Sequence, residues 1–334
     1  MTTHLLVGNP TAQSGKNEER IDRALRLLRD AGLDAALLPT LPHGATVGAV
    51  RAALEDGDVK VVIAMGGDGT FREVAAGLFT SPARDRVALG MLPTGTANDQ
   101  GKSFGLEASD DALERNVTVI REGHETRLDV GVYRSGASAE PDHFFDSAGW
   151  GLSARILAQR NKDRATVESL GLLKEIYRDH AVYVGAFLKT FLESYVVDAD
   201  LRVDAVLDGE HHLLEGLTDL VITNTPIYAG AWRLDPTSRH DDGAFELVPF
   251  RGKLDWTSKA IVDLDGNPIT ESMLNEIGVE HSRPLRARRM ELTIHAPEGG
   301  APLAAQLDGE EWAPSSTVTI EVVQQGLRLI VPRP

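Results

Sequence analysis

Over its first hundred residues the chain alternates short apolar runs with segments of helical period, and each run stops at a glycine or a proline. His4 to Val7 ends at Gly8-Asn9-Pro10. Residues 17 to 31 place Ile21, Ala24, Leu25, Leu28 and Ala31 at helical spacing, with Gly32 where a C-cap belongs. Asp34 to Leu38 predicts a strand closed by Pro39, and Ala45 to Glu55 a helix. Val59 to Met65 predicts a buried strand, Phe71 to Phe79 a helix, and Val87 to Leu92 a strand closed by Pro93. Strands joined through helices predict a parallel sheet, because parallel neighbours need a crossover connection. The expected N-terminal domain, 1–125, is therefore α/β with a parallel sheet.

After about residue 125 the pattern changes. Segments 127–133, 143–148, 201–208, 212–224, 244–250, 288–296, 302–307 and 317–323 read as strands separated by turns. Asp208-Gly209, Asp242-Gly243 and Asp308-Gly309 punctuate them with hairpin-turn chemistry. This predicts a C-terminal β-rich sandwich over 126–314, with a helical insertion at about 151 to 195, while residues 315–334 pack back onto the first domain. A length of 334 residues suits two domains, each with its own core.

Charge and composition remove several function classes. Lys and Arg total 34 against 50 Asp and Glu, a net charge of −16. Neutralising phosphate backbones needs basic surface, so no nucleic-acid partner is expected. The absence of cysteine removes disulfides, thiolate metal sites and a cysteine nucleophile. No transmembrane segment is expected, since no apolar run approaches the roughly 18 residues a spanning helix needs. The opening MTTHLLVGNP has neither a basic n-region nor a long apolar stretch, which points to a cytoplasmic protein without a signal peptide.

The strongest local signal is Gly66-Gly67-Asp68-Gly69-Thr70, between a buried strand and a helix. Glycines let backbone approach a ligand, and a helix N-terminus offers N–H groups to phosphate. An aspartate there fits if Mg²⁺ or a proton-bearing nucleophile stands between it and phosphate. The plainer reading is a tight turn with an Asp helix cap. A GxGxxG fingerprint fails at Arg72, and Ser14-Gly15-Lys16 fails as a P-loop because Asn17 follows and Pro10 stands at its first glycine. A second loop, Pro93-Thr94-Gly95-Thr96-Ala97-Asn98-Asp99, follows the next strand, so both face one sheet edge. Asp308-Gly309-Glu310 alone is weak, because Asp208-Gly209-Glu210 carries the same letters. His211-His212 fits a hairpin. Arg283, Arg286, Arg288 and Arg289 read as a solvated strand face or a contact for anionic headgroups.

Taken in order, Asn9-Pro10 with Ser14-Gly15, His43-Gly44-Ala45, the Gly-Gly-Asp-Gly-Thr loop, Pro93 to Asp99, Asp129-Val130-Gly131 and Asp308-Gly309-Glu310 resemble the diacylglycerol kinase catalytic-domain family, which includes soluble bacterial lipid kinases and sphingosine kinases. The resemblance implies an N-terminal ATP-binding domain and a C-terminal domain that holds a lipid. It implies nucleotide contacts at Asn9, Thr40, Gly66, Gly67, Asp68, Gly69, Thr70, Arg72 and Thr96, with Asp68 organising Mg²⁺-ATP or the attacking hydroxyl. Asp308 and Glu310 resemble the pair supplying the general base, and Asp129 a headgroup acid. Asp242, with the carbonyls of Arg239 and Ala244, resembles a structural Mg²⁺ site. Arg72 stands where Asn is common, and Thr94 where Leu or Ala is usual. The acidic segment 254–280 does not match closely.

The implied activity is transfer of the ATP γ-phosphoryl group to a lipid hydroxyl, on diacylglycerol or a related lipid, with reversible peripheral membrane contact. Apolar residues of 151–195 are expected to line a core, a lipid-tail pocket or a homodimer face. The competing readings are a soluble-substrate kinase of the NAD kinase type, which shares the Gly-Gly-Asp-Gly loop, and a non-catalytic lipid- or nucleotide-binding regulator.

Overall fold

A computed structural model describes residues 2–12, 16–55, 57–95, 98–136, 140–158, 201–229, 232–235, 237–251, 255, 261–262, 283–296 and 303–333. Thr96, most of the 151–195 insertion and nearly all of the acidic 254–280 segment lie outside these residues. The chain divides into two compact units. One comprises Met1–Val130, His240–Asp242 and Gln324–Pro334; the other comprises Gly131–Arg239 and Gly243–Val323.

The first unit runs β1 (His4–Gly8), α1 (Lys16–Asp30), β2 (Ala35–Pro39), α2 (Ala45–Ala53), β3 (Val61–Gly66), α3 (Asp68–Phe79), β4 (Ala88–Pro93), α4 (Asp99–Ser103), α5 (Ala112–Glu122), and then enters β5 (Glu125–Ser135). The first four strands are parallel in the order β2-β1-β3-β4. Ile21, Ala24 and Leu28 of α1 and Leu113, Val117 and Ile120 of α5 bury against Leu6, Ile63, Met65 and Leu92 of the sheet. Gly32 ends α1 with φ +80°, and the Leu33 N–H reaches back to the Leu28 carbonyl, the left-handed ending expected of a glycine after a helix. Two boundaries differ from expectation. Helix α3 begins at Asp68, not Phe71, so Asp68, Gly69 and Thr70 form its first turn. Helix α5 was not expected, although Ala112, Leu113, Val117 and Ile120 carry its periodicity.

The second unit holds β6 (Asp142–Phe144), β7 (Ser147–Gly151), β8 (Leu201–Leu207), β9 (Glu210–Leu217), β10 (Asp219–Thr223), β11 (Ile227–Tyr228), β12 (Trp232–Arg233), β13 (Phe245–Phe250), β14 (Ile261–Val262), β15 (Leu285–Ala287), β16 (Arg289–His295), β17 (Ala305–Leu307), β18 (Glu310–Trp312) and the first half of β19 (Thr317–Ile330). Strands β8, β9, β16 and β19 form one antiparallel sheet; a second has the order β15-β13-β10-β7-β17-β18. Strand β16 alternates buried and exposed residues, so its sheet has one core face. Strands β10 and β13 are buried throughout. Met290, Ile320 and Ala205 pack with Trp150, Ile222 and Leu247 on one side. Val221, Val248 and Phe250 pack with Leu152, Tyr228 and Leu234 on the other. The structure thus has an α/β N-terminal part with a mostly parallel sheet and a β-rich C-terminal part. Of the segment expected to form a helical insertion, the described residues 152–158 are helical.

The last strand is twice as long as its expected 317–323 span. Gln325 takes φ +54°, and beyond it Leu329 pairs in parallel with Leu89 of β4. Residues 324–334 therefore belong to the first unit.

Candidate active site

Register aligns the carboxyl ends of the four parallel strands. Gly8 lies opposite both Pro39 and Met65, and Gly66 lies opposite Pro93. The residues that follow therefore emerge on one edge of the sheet, where open α/β sheets bind ligands. Asn9 follows β1 and Thr40 follows β2, its N–H donating to the Gly8 carbonyl at 3.0 Å. The side-chain oxygen of Asn9 accepts the N–H of Thr11 at 3.0 Å and its hydroxyl at 2.9 Å, while Asn17 donates to the Asn9 carbonyl at 2.5 Å.

The two glycine loops touch each other. A Cβ on Gly95 would stand 2.5 Å from the Gly67 Cα, and one on Gly66 would strike the Thr70 side chain at 2.4 Å. Only glycine fits these places. The Thr94 N–H donates to the Gly66 carbonyl at 2.8 Å, which ties the second loop to the end of β3. Gly67 is the N-cap of α3 and supplies no side-chain cap, so the first-turn N–H groups are not closed off by that residue. Asp68, Gly69 and Thr70 sit half-buried in that turn, and Arg72 lies on the same helix, also half-buried.

Asp68 places an acid at the positive end of α3. Its Oδ1 accepts the Gln100 N–H at 3.4 Å. Burial pushes its carboxyl up from the usual range, against the pull of the N–H groups of Gln100, Asn98, Asp68 and Asp99. Asn98 enters α4 in the left-handed region at φ 54°, and its side chain donates to the Leu106 carbonyl at 3.2 Å. Gln100 is buried, and neither polar atom of its side chain finds a partner. Asn98 belongs to the second loop expected at this sheet edge; Gln100, just beyond it, was not expected here.

Asp129 is wholly buried on β5. Its N–H donates to the His240 carbonyl at 2.7 Å, and its Oδ1 accepts the Gln325 N–H at 2.5 Å. The Gln325 side chain in turn reaches the Asp241 carbonyl at 3.4 Å. Asp129 therefore fastens the segment that carries Asp242. Arg239 is exposed, Asp242 half-buried and Ala244 buried, around a turn at Gly243 with φ +81°. Among the described residues no group of three or more His, Asp or Glu gathers as metal ligands. A carboxylate with two main-chain carbonyls is nevertheless an all-oxygen donor set, which suits a hard cation.

In the second unit Asp308 lies between β17 and β18 and is 4 % exposed. Its Oδ1 accepts the N–H groups of Phe145 at 3.0 Å, Asp146 at 2.7 Å and Ser147 at 3.1 Å. Its Oδ2 accepts the Phe145 N–H at 3.1 Å. Main-chain N–H groups of three consecutive residues thus converge on this carboxylate. Glu310, two residues on, is exposed on β18. Sequence reasoning read 143–148 as a strand but gave residues 145–147 no part in the site. Their N–H groups carry no side-chain signature and stand some 160 positions from the carboxylate they hold.

Comparison with known proteins places these features in a family. Residues 3–133 match the diacylglycerol kinase catalytic domain. A diacylglycerol kinase of Staphylococcus saprophyticus is 31 % identical over 246 residues, covering 73 % of this chain and 71 % of that protein. The chain belongs to the diacylglycerol kinase family. A diacylglycerol kinase of Staphylococcus aureus is also 31 % identical, over 245 residues covering 73 % of this chain and 69 % of that protein. The fold agrees with the crystal structure of a diacylglycerol kinase from Bacillus anthracis, with a TM-score of 0.69 at 21 % identity, covering 99 % of this chain and 97 % of that one. Among the described residues no helix is long and apolar enough to cross a membrane.

Proposed function

We propose that this member of the family transfers the γ-phosphoryl group of ATP to a lipid hydroxyl. The observation that carries the reading is the paired glycine loops, packed against each other beside the first turn of a helix that begins at Asp68 and has no side-chain cap from Gly67. Phosphoryl transfer is catalysed mainly by positioning and by offsetting charge. The N–H groups of Gly67, Gly69 and Thr70 suit the phosphates, with Arg72 adding a cation. Asn9, Thr40 and Thr96 complete the nucleotide contacts. Mg²⁺, when bound, offsets the negative charge of the phosphates. Asp68 orients the metal-bound phosphates or the attacking hydroxyl.

Asp308 accepts the hydroxyl proton, with Glu310 as the second acid of the pair. Asp129 serves the lipid headgroup through the network it anchors. Asp242, with the carbonyls of Arg239 and Ala244, holds a structural Mg²⁺. In this reading residues 1–125 form the ATP domain and 126–314 the lipid domain. Because the relatives are named diacylglycerol kinase, diacylglycerol is the first acceptor to try. Contact with the membrane is peripheral.

The test is a γ-phosphate transfer assay with Mg²⁺-ATP and mixed micelles of a total bacterial lipid extract, with Asp308→Asn as control. A phosphorylated lipid made by the wild type alone supports the reading, and its identity names the acceptor. Phosphorylation of NAD with no lipid product would move the activity to a soluble acceptor. ATP binding without turnover on any acceptor would make the protein a regulator.

A further inference from the structure

Strand β9 ends its sheet: it pairs with β8 on one side, and among the described residues no strand pairs with its other side. The hairpin that joins β8 to β9 fixes which main-chain groups face outward. Leu207 and Glu210 flank a two-residue turn in which Asp208 and Gly209 both take positive φ, so they form a hydrogen-bonded pair. Ala205 with His212 and Val203 with Leu214 are the next such pairs. The alternation directs the N–H and C=O groups of His211, Leu213 and Glu215 away from β8. At the far end the Glu215 carbonyl accepts Arg251 Nε at 3.4 Å, and Gly216 takes φ +63° where the pairing with β8 slips. The open stretch of edge therefore centres on Leu213.

The same three residues share a side-chain face. Leu214 and Leu217 enter the core, whereas His211, Leu213 and Glu215 are exposed. Leu213 is 53 % exposed, and among the described residues only Leu41 is another large apolar side chain left so open. Edge strands are commonly guarded by lysine or proline, and 210–217 holds neither. Glu215 lies 3.8 Å from Arg202 Nε in an exposed pair, which holds a carboxylate only weakly.

An identical strand can pair with this edge about a two-fold axis, provided that outward-facing residues meet one another. Centred on Leu213, the leucine meets its own copy, and at each end His211 faces the second copy's Glu215. Centring on His211 sets histidine against histidine, and centring on Glu215 sets glutamate against glutamate. The registers between these oppose Leu213 to His211 or to Glu215. The Leu213 register thus opposes a base to an acid on both sides of an apolar pair, and an imidazole donates to a carboxylate in either protonation state. We propose that two copies of this chain associate by antiparallel pairing of β9 with β9 about a two-fold axis at Leu213. Such an interface is self-complementary, as two-fold symmetry requires. The proposal is independent of the reaction the protein catalyses.

Sedimentation equilibrium of the full chain over a dilution series tests it. A species of twice the chain mass is expected at high concentration and should dissociate on dilution, since one paired edge is a small interface. Asp204 stands opposite Leu213 on β8, so Leu213→Lys suits the monomer while setting two lysines against each other on the axis. It should weaken self-association by about tenfold, with the urea midpoint of the dilute monomer unmoved. His211→Glu and Glu215→His should each weaken it by about threefold, and the two together should return it toward wild type, because base and acid have only changed places. Exchange of the Leu213 amide should slow as concentration rises, more than that of His212 or Leu214, which already bond to β8. A wild type that is monomeric at every concentration overturns the proposal, whether the edge stays bare or serves a different protein. A dimer untouched by Leu213→Lys lies on another surface and overturns it as well, and a double substitution that fails to recover overturns the register.

Discussion

The second unit contains the turn Asp-Gly-Glu twice, at 208–210 and at 308–310, and in both the Asp and the Gly take positive φ. Asp208 and Asp308 take φ +50° and +49°, and Gly209 and Gly309 take +94° and +74°. Each turn links adjacent antiparallel strands. Each carboxylate reaches main-chain N–H groups of a neighbouring segment: Arg288 and Arg289 for Asp208, and Phe145, Asp146 and Ser147 for Asp308. Surroundings separate them. Asp208 is exposed beside two arginines, whereas Asp308 is buried beside another acid. The turn is a property of its three letters; what the acid can do is a property of where the turn is inserted.

The widest separation between the two turns is expected in turnover. Asn tolerates the left-handed region at least as well as Asp, so Asp208→Asn and Asp308→Asn are matched in backbone strain. Asp308→Asn should cost about 10²–10⁴-fold in lipid phosphorylation, the usual contribution of a general base, with ATP binding retained. Asp208→Asn should leave turnover within a factor of about two, as a surface change remote from any reacting atom. Equal losses in both would show that hairpin integrity, and not proton transfer, limits the rate. Asp68→Ala should abolish turnover as well, through the phosphate side of the reaction.

The sequence could not distinguish the two turns, and the reason is physical. Local chemistry is written in neighbouring letters, so the β-α alternation, the glycine ending of α1 and the hairpin turns were all legible. Burial of Asp308 depends on β7 and on the 145–147 segment, which arrive from far away in the chain. The start of α3 was misplaced because Gly67, Asp68 and Gly69 have the composition of a loop, although helical N–H groups are what an anion site needs. The length of β19 was missed because Gln324-Gln325-Gly326 interrupts its apolar pattern. The strand survives because the Asp129 carboxylate accepts the Gln325 N–H where the backbone turns left-handed, and because Gly326 packs where a Cβ would stand 2.8 Å from Val130.

A smaller effect sharpens the comparison at the glycines. A Cβ at Gly209 or Gly309 would meet nothing within 4 Å, so alanine at either place costs backbone strain alone. Each substitution should lower unfolding stability by roughly 1–2 kcal/mol, read as a change in urea midpoint. Stability should therefore not tell the turns apart, while kcat should fall only with Gly309→Ala, whose N–H is held by the Gln306 side chain at 2.8 Å. A stability cost confined to one turn would mean that the two backbones are not equivalent in solution.

The same contrast between buried and exposed acids recurs, in its mildest form, at Asp219 and Asp204. Asp219 is fully buried, and burial pushes its carboxyl up to about 7 against the opposing hydrogen bonds from Ser153 and Leu220. Its Oδ2 accepts the Ser153 N–H at 2.7 Å at the start of the helical turn over 152–158. A folded-state value above the unfolded one means that the native protein binds more protons between roughly pH 4 and 7. Its contribution to stability is full below the unfolded value and is lost as pH rises through about 7. Exposed Asp204 is lowered, chiefly by the His295 ring 2.8 Å away, so its contribution is present above the unfolded value and lost as pH falls through the folded one. Asp219→Asn should flatten the decline in unfolding free energy between pH 4 and 7. Asp204→Asn should change only the acid end, by less, and the difference should shrink further in salt because the pair is exposed. Identical pH–stability curves for wild type and Asp219→Asn would show that Asp219 stays ionised inside the fold, and burial alone would then no longer separate the two members of such pairs.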